Sequence, residues 1–417
     1  MKNTKYFAEI DGLKGLGIIG IISYSYFPLI LKSGFLGIDI FFLISGFLIG
    51  LIIFDELRTT GNFNFFYFFE KRFRRIFPPL IFLVSIITFI SIYVFDPETL
   101  VKILQSSIAS IFFVSNFLFH FSSIGYFSEI ATFQPLLNTW SLSIVEEYYI
   151  FFPIFILIIF RLNLSKYLFL LILIFCLISL TFTLFIYEKH PSFNYLMIFS
   201  RAWEILFGSL IAYLMVFKDF RIENKIANLI LPKIGIILIL FSFVFFNEKM
   251  NFPNQYSLVP LIGSLMIIMS SNQSELTMRI ISNKFFVYIG CLSYHLFLWH
   301  YPLYTILKFK FFYIKNIEII SLFITFAMSL ISYYFIDKYS RNMNVKFKTI
   351  IYYCSILLIL SLSISLYYIG NKINQKKENY SSIHKFLDIN KYKNDHINFK
   401  VDYNYDNFSY KYKNVFI

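Results

Sequence analysis

The sequence predicts an all-α fold: a polytopic integral membrane helical bundle of about eleven transmembrane helices. Three observations carry this. Of 417 residues, 58% are hydrophobic and only 15% charged, where an average soluble domain carries roughly 25% charged residues. Aromatic residues reach 22%, with 56 Phe and 31 Tyr, and mean hydropathy is +0.67. A soluble fold would leave that much apolar surface in large exposed patches, whereas a bilayer absorbs it. Third, apolar runs recur at the length that crosses the hydrocarbon core, about 20 residues.

In chain order these runs lie at about 13–31, 35–54, 76–95, 143–160, 167–187, 196–217, 230–247, 256–271, 285–307, 317–336 and 348–369. No small-residue cleavage site follows the first run, so it is expected to stay as a membrane helix. A further run at about 101–121 is more polar, containing Gln105, Ser106, Ser107, Ser110, Ser115 and Asn116. Residues 101–142 are therefore expected to form an excursion that returns to the side it left. The basic segments 55–75, 161–166, 218–225 and 337–348, and the mildly basic 272–284, would all face the cytoplasm under the positive-inside rule. That puts the N-terminus in the cytoplasm and the tail outside. One basic segment, KFKFFYIK at 308–315, falls on the outer side. Counting 101–121 as a full span would break the rule four times. The domain plan is a bundle over 1–369 and a polar extracytoplasmic tail, 370–417, rich in Asn, Lys, Tyr and Asp and too poor in aliphatics to bury a core.

The net charge of +13 reads as loop charge that orients helices against the bilayer, and nucleic acid is excluded as a partner. Cys176, Cys291 and Cys354 sit in apolar runs, without metal spacing or a disulfide framework. No zinc, P-loop or dinucleotide motif appears, so no metal and no bound cofactor are expected.

Polar groups inside a bilayer are costly and usually serve substrate, ions or one another. In IDGLKG (10–15), Asp11 and Lys14 share a helix face, and Ser25 lies eleven residues after Lys14, about three turns along it. On periodicity alone, a salt-bridged helix start with self-bonded hydroxyls accounts for them. Asp39 begins GIDIFFLISGFLIG (37–50), whose glycines allow close helix approach. EKRFRRIFPPL (70–80) places four basic residues in five positions. Positive-inside charge accounts for them, and so does an anion site: Arg72 and Arg75, three apart, can present two guanidinium forks from one face. Glu146, Glu147, Arg201, Glu204, His295 and His300 are ionisable groups in or beside further runs. Pairing such as Arg201 with Glu204 is expected, and a histidine facing a cavity could move protons.

Taken together these strings resemble the acyltransferase-3 family of bacterial membrane acyltransferases, in the branch that O-acetylates surface polysaccharide and often carries an extracytoplasmic SGNH-type domain. The likeness runs in order over about 5–340: DGLKG, GIDIFFLISGFLI, KRFRRIFP, SNFLF, GYF, PLLNTWSLS, RAWEILFG and LSYHLFLWHYP. It implies a bundle with a central cavity in the bacterial inner membrane. Acetyl-CoA or another acyl-CoA would be the donor substrate, entering from the cytoplasm with Arg72 and Arg75 on its phosphates. The acyl group would pass to a hydroxyl of a surface glycan, lipopolysaccharide included, or of its lipid-linked precursor. Lys14, Ser25, Glu146 and His300 fall at catalytic or cavity positions. Asp11, Asp39, Trp140, Ser141, Arg201 and Glu204 fall at positions that shape the cavity or hold the architecture.

The chain departs from the family at several proton-handling positions. Lys14 and Ser25 stand where the family has Arg and, eleven residues on, His. Asn138 replaces a usual His, Val145 and Glu146 align with a Glu pair, and Asp337-Lys338-Tyr339 replaces Glu-x-Pro. Three readings stay open: a variant enzyme relying on His300 or on Ser25 as acyl-accepting nucleophile, a catalytically degenerate homologue, and a transporter of a lipid-linked or acylated substrate. The terminal KYKNVFI resembles the strand that leads into an SGNH domain in fused relatives. The tail is thus expected to be the remnant of a truncated linker, with a separate SGNH-type protein as partner.

Overall fold

A computed structural model describes residues 7–122, 134–220, 222, 224–270, 276–342 and 345–386, with the side chains of 373–386 excepted. The GYF string and the terminal KYKNVFI lie outside the described residues. Among those described the fold is helical, without a strand. In order the helices are α1 (Ala8–Tyr26), α2 (Gly37–Thr60), α3 (Phe65–Val94), α4 (Pro97–Ile111), α5 (Ser115–Phe121), α6 (Thr139–Arg161), α7 (Leu168–Ile186) and α8 (Pro191–Leu196). They continue as α9 (Ile198–Phe217), α10 (Lys225–Phe245), α11 (Leu258–Met269), α12 (Leu276–Ile281), α13 (Lys284–Lys310), α14 (Ile317–Ile331), α15 (Lys338–Arg341) and α16 (Phe347–Phe386). The chain forms two units, Met1–Ser365 and Leu366–Ile417.

Local chemistry sets many of the boundaries. The Asp96 carboxylate accepts the backbone N–H of Glu98 and Thr99 at 3.0 and 3.2 Å, with Pro97 as the first residue of α4. Asn64, Asn224 and Asn283 cap α3, α10 and α13 in the same way. Gly61, at φ +73°, closes α2 in the left-handed conformation that glycine adopts without strain.

Among the described residues, eight segments are long and apolar enough to cross a membrane. The three other expected spans coincide with α1, α11 and α13. Each falls short for its own reason. α1 carries Glu9, Asp11 and Lys14 in its first turns, α11 has only 12 residues, and α13 contains His295, His300 and several tyrosines. Residues 101–121 are not one span: α4 ends at Ile111, Phe113 turns at φ 54°, and α5 restarts at Ser115. α16 runs to Phe386, beyond the expected end at 369. The residues past 369 are polar but include no proline, so the helix outlasts the apolar run.

The bundle is layered. The segments Gly34–Thr60 and Pro191–Phe217 are 72% and 78% buried, whereas Ser165–Ile186 and Ile317–Arg341 are 28% and 22% buried. The first pair is the centre, and the outer helices turn Phe, Leu and Ile outward to lipid. Close approach of backbones joins the inner helices. A Cβ at Gly46 of α2 would lie 1.8 Å from the Ile205 carbonyl oxygen of α9, and one at Gly290 of α13 would lie 1.7 Å from the Asp11 carbonyl oxygen of α1. Gly290→Ala is accordingly expected to lower stability by about 1–3 kcal/mol through overpacking. A thermal melt in detergent checks this, and an unchanged midpoint would mean the seam can yield.

Candidate active site

The site grows from α3. Prolines at 78 and 79 remove two backbone donors from the helix interior. The carbonyl freed at Arg74 does not go unpaired: the Ser340 hydroxyl donates to it at 2.7 Å. The Arg74 guanidinium binds Glu70 at 2.7 Å and donates to the carbonyls of Ser340, Asn342 and Val345. Arg74 is therefore a clamp between α3 and the α15 turn. Its neighbours Arg72 and Arg75 point elsewhere, into a cavity.

That cavity is partly open and has an interior volume of about 130 Å³. Its walls come from α1, α2, α3, α6 and α13. Lys14, Arg72, Arg75, Ser141 and Glu146 line it, set among apolar groups such as Ile38, Phe41 and Leu48. Thus five of the residues singled out from the sequence meet in one space. Neither Arg72 nor Arg75 makes a hydrogen bond or ion pair among the described residues. The Arg72 guanidinium rests on the rings of Phe68 and Tyr149, 5.6 and 5.2 Å from their centroids. Lys14 is partly neutralised by Asp11, Nζ to Oδ1 at 3.0 Å. Glu146 is buried with Oε1 unbonded, and the Arg72 charge acts on it across the cavity. The arrangement sets two guanidinium forks, without an ion-pair partner among the described residues, in a largely apolar pocket.

The other expected residues lie elsewhere. The Ser25 hydroxyl donates to the Ile21 carbonyl of its own helix at 3.0 Å. It sits about 16 Å beyond Lys14 by helical rise. His300 is one turn past the cavity wall. Its Nδ1 contacts the carbonyl oxygens of Phe297 and Leu296 at 2.8 and 3.2 Å. Carbonyls only accept, so Nδ1 carries the proton and Nε2 keeps the lone pair that a general base needs. Asn138 donates to the same Phe297 carbonyl at 2.7 Å, and the Tyr26 hydroxyl donates to the His300 carbonyl at 2.9 Å. Asp39, Arg201 and Glu204 form a buried triad: Arg201 Nη1 reaches Asp39 at 3.0 Å and Glu204 at 2.9 Å. Trp140 packs its ring under the Arg201 guanidinium at 5.5 Å. The triad ties α2 to α9 and is not part of the cavity lining.

Ser45, Tyr149, Ser293 and Tyr294 also line the cavity and were not singled out. A signal for Ser45 was present: Ile38, Phe41, Ser45 and Leu48 follow helical spacing on one face. Ser293 and Tyr294 lie inside the LSYHLFLWHYP string, overshadowed by its histidines. Among the described residues no group of three or more His, Cys, Asp or Glu could hold a metal ion.

Comparison with known proteins bears on this arrangement. Residues 7–338 match a family described as "Acyltransferase domain". The chain is 28% identical over 361 residues to O-acetyltransferase OatA of Staphylococcus aureus, an alignment covering 83% of this chain and 59% of that protein. It is 32% identical over 314 residues to the peptidoglycan O-acetyltransferase OatA of Listeria monocytogenes, covering 73% and 50%. The chain thus spans between half and three fifths of the length of these relatives. No solved structure matches it significantly. Apolar spans and family match agree on a multi-pass membrane protein, and the chain belongs to the acyltransferase-3 family.

Proposed function

We propose that the chain is a membrane O-acetyltransferase that takes an acetyl or similar short acyl group from acyl-CoA and passes it to a hydroxyl of a cell-surface glycan or its lipid-linked precursor. The observation that carries this is the pair of unpartnered guanidinium groups, Arg72 and Arg75, in the cavity facing Glu146. The relatives' names narrow the acceptor: the Listeria protein is a peptidoglycan O-acetyltransferase, so peptidoglycan is preferred here over lipopolysaccharide.

In this reading the basic turn of α3 faces the cytoplasm, in keeping with the positive-inside rule. Arg72 and Arg75 hold the donor's phosphates by charge-assisted hydrogen bonds. The apolar walls keep water from the thioester. His300, with Nε2 free to accept, removes the proton from the attacking hydroxyl. The carbonyl–sulfur bond breaks as the ester C–O bond forms, and the proton goes on to the departing thiolate. A silent homologue is the second reading, favoured by the Ser25 hydroxyl being committed to its own helix.

Membranes carrying the chain, given labelled acetyl-CoA, test both. Label should appear as glycan ester, and His300→Ala should cut the rate by about 10²–10⁴-fold. An unaffected His300→Ala variant would remove that residue from the mechanism. Transfer absent in wild type and gained by Ser25→His would establish the silent homologue. Transfer by neither would overturn the acyltransferase reading.

A further inference from the structure

A third arginine, outside the cavity lining, lies near Arg75. The Arg74 clamp brings it there. Arg74 is hydrogen-bonded to Ser340 and Asn342, the residues on either side of Arg341, so Arg341 is held alongside Arg75, the neighbour of Arg74. Arg341 is near enough to Arg75 for the two like charges to oppose each other. Asp337 pairs with Arg341, whereas Arg75 has no carboxylate partner among the described residues, so an anion beside Arg75 would relieve the repulsion.

The orientation of Arg341 is also built. Residues Ser332–Asp337 form a π-helical stretch between α14 and α15, a local insertion of the kind that concentrates at functional sites. It turns the Asp337 carboxylate into the bundle, where it is 0% exposed. Asp337 accepts from Arg341 Nε at 2.7 Å on Oδ1, and Arg341 Nη2 pairs with Oδ2. His295 Nε2 meets Oδ2 at 3.2 Å, and the far side of that ring is held by Ser332 Oγ at 3.0 Å. This fork fixes two of the three guanidinium nitrogens. Nη1 has no partner among the described residues, and the Arg341 side chain is 43% exposed.

We infer that Arg72, Arg75 and Arg341 form one anion site for a carrier bearing more than one phosphate, with Asp337 and His295 as positioning residues that aim Arg341. The inference rests on the acyl-CoA reading only for the acyl part of the ligand. The phosphate part stands on the three guanidinium groups. Two guanidinium forks three residues apart serve one phosphate, and a third arm from another helix suits a diphosphate or a second, separate phosphate. A carrier with a single phosphate would leave Arg341 idle.

The full chain in lipid nanodiscs is titrated with acetyl-CoA, with inorganic pyrophosphate and with acetyl-pantetheine, which carries no phosphate. Arg341→Gln should weaken acetyl-CoA and pyrophosphate binding by about tenfold and leave acetyl-pantetheine unchanged. Asp337→Asn should weaken both anions, and the Asp337→Asn/Arg341→Gln double variant should be no worse than Arg341→Gln alone. Full additivity would assign Asp337 a merely structural role. Arg341→Lys should restore part of the affinity, which a misfolded protein would not. Pyrophosphate binding unchanged in Arg341→Gln, or absent in wild type, would overturn the three-arginine site. Pyrophosphate binding lost in Arg341→Gln while wild type ignores acetyl-CoA would keep the site and sink the acyl-CoA donor instead.

Discussion

Replacing Arg72 and Arg75 together by glutamine is expected to weaken acetyl-CoA binding by roughly 10²–10⁴-fold, at about 1.5–3 kcal/mol for each charge-assisted hydrogen bond removed. The basis is that neither makes a hydrogen bond or ion pair among the described residues. Arg74, between them, is bound to Glu70 and to three backbone carbonyls, so its loss should cost stability. Arg72 and Arg75 make no ion pair among the described residues, so removing them should lower the melt less than removing Arg74 does. Equilibrium binding of labelled acetyl-CoA to the purified chain in nanodiscs, beside a thermal melt, separates the two effects. Affinity within about threefold of wild type, well short of the tenfold that one such bond carries, would show that the donor's phosphates lie somewhere else.

Arg201→Ala should be the most damaging single change to folding. Arg201 is 1% exposed and is the shared partner of Asp39 and Glu204, themselves 3% and 0% exposed. Its loss leaves two buried carboxylates facing each other without a cation, at a cost of about 3–5 kcal/mol. The chain should fail to accumulate in membranes. Removing all three charges at once, as Asp39→Asn, Arg201→Met and Glu204→Gln, should recover much of that loss, because the penalty comes from unpaired charge and not from missing attraction. Immunoblots of membrane fractions and melts in detergent measure both variants. If the triple variant accumulates no better than Arg201→Ala, the triad works through packing.

Much of the fold was legible in the sequence, and the reasons are local. Helical periodicity and run length located every long helix. Spacing alone brought Arg72 and Arg75 to one face, because three residues is nearly one helical turn. The same rule aligned Lys14 with Ser25 and misled there: a shared face says nothing of how far along a helix a cavity extends. What the sequence hid is long-range. Asp39 and Arg201 are 162 residues apart, and Ser340 and Arg74 are 266 apart. No periodicity links them. The role of Pro78 depends on such a link, since a proline in a helix announces a free carbonyl without naming the donor that will take it. Asp337 read as a departure from a family pattern, whereas it forms a His–Asp–Arg fork whose Asp337–Arg341 half follows i,i+4 spacing and whose His295 half, 42 residues away, does not.

The seam between α1 and α13 also limits traffic. Backbone meets backbone where Gly290 lies on Asp11, and at the other end the Tyr26 hydroxyl is bonded to the His300 carbonyl. A hexose ring is several ångströms across and cannot slip through such a join. In the proposed reaction, a bulky acceptor bound for His300 would therefore arrive from another quarter. Among the described residues the boundary between α13 and the start of α6 is crossed by the Asn138 amide, which donates to the Phe297 carbonyl.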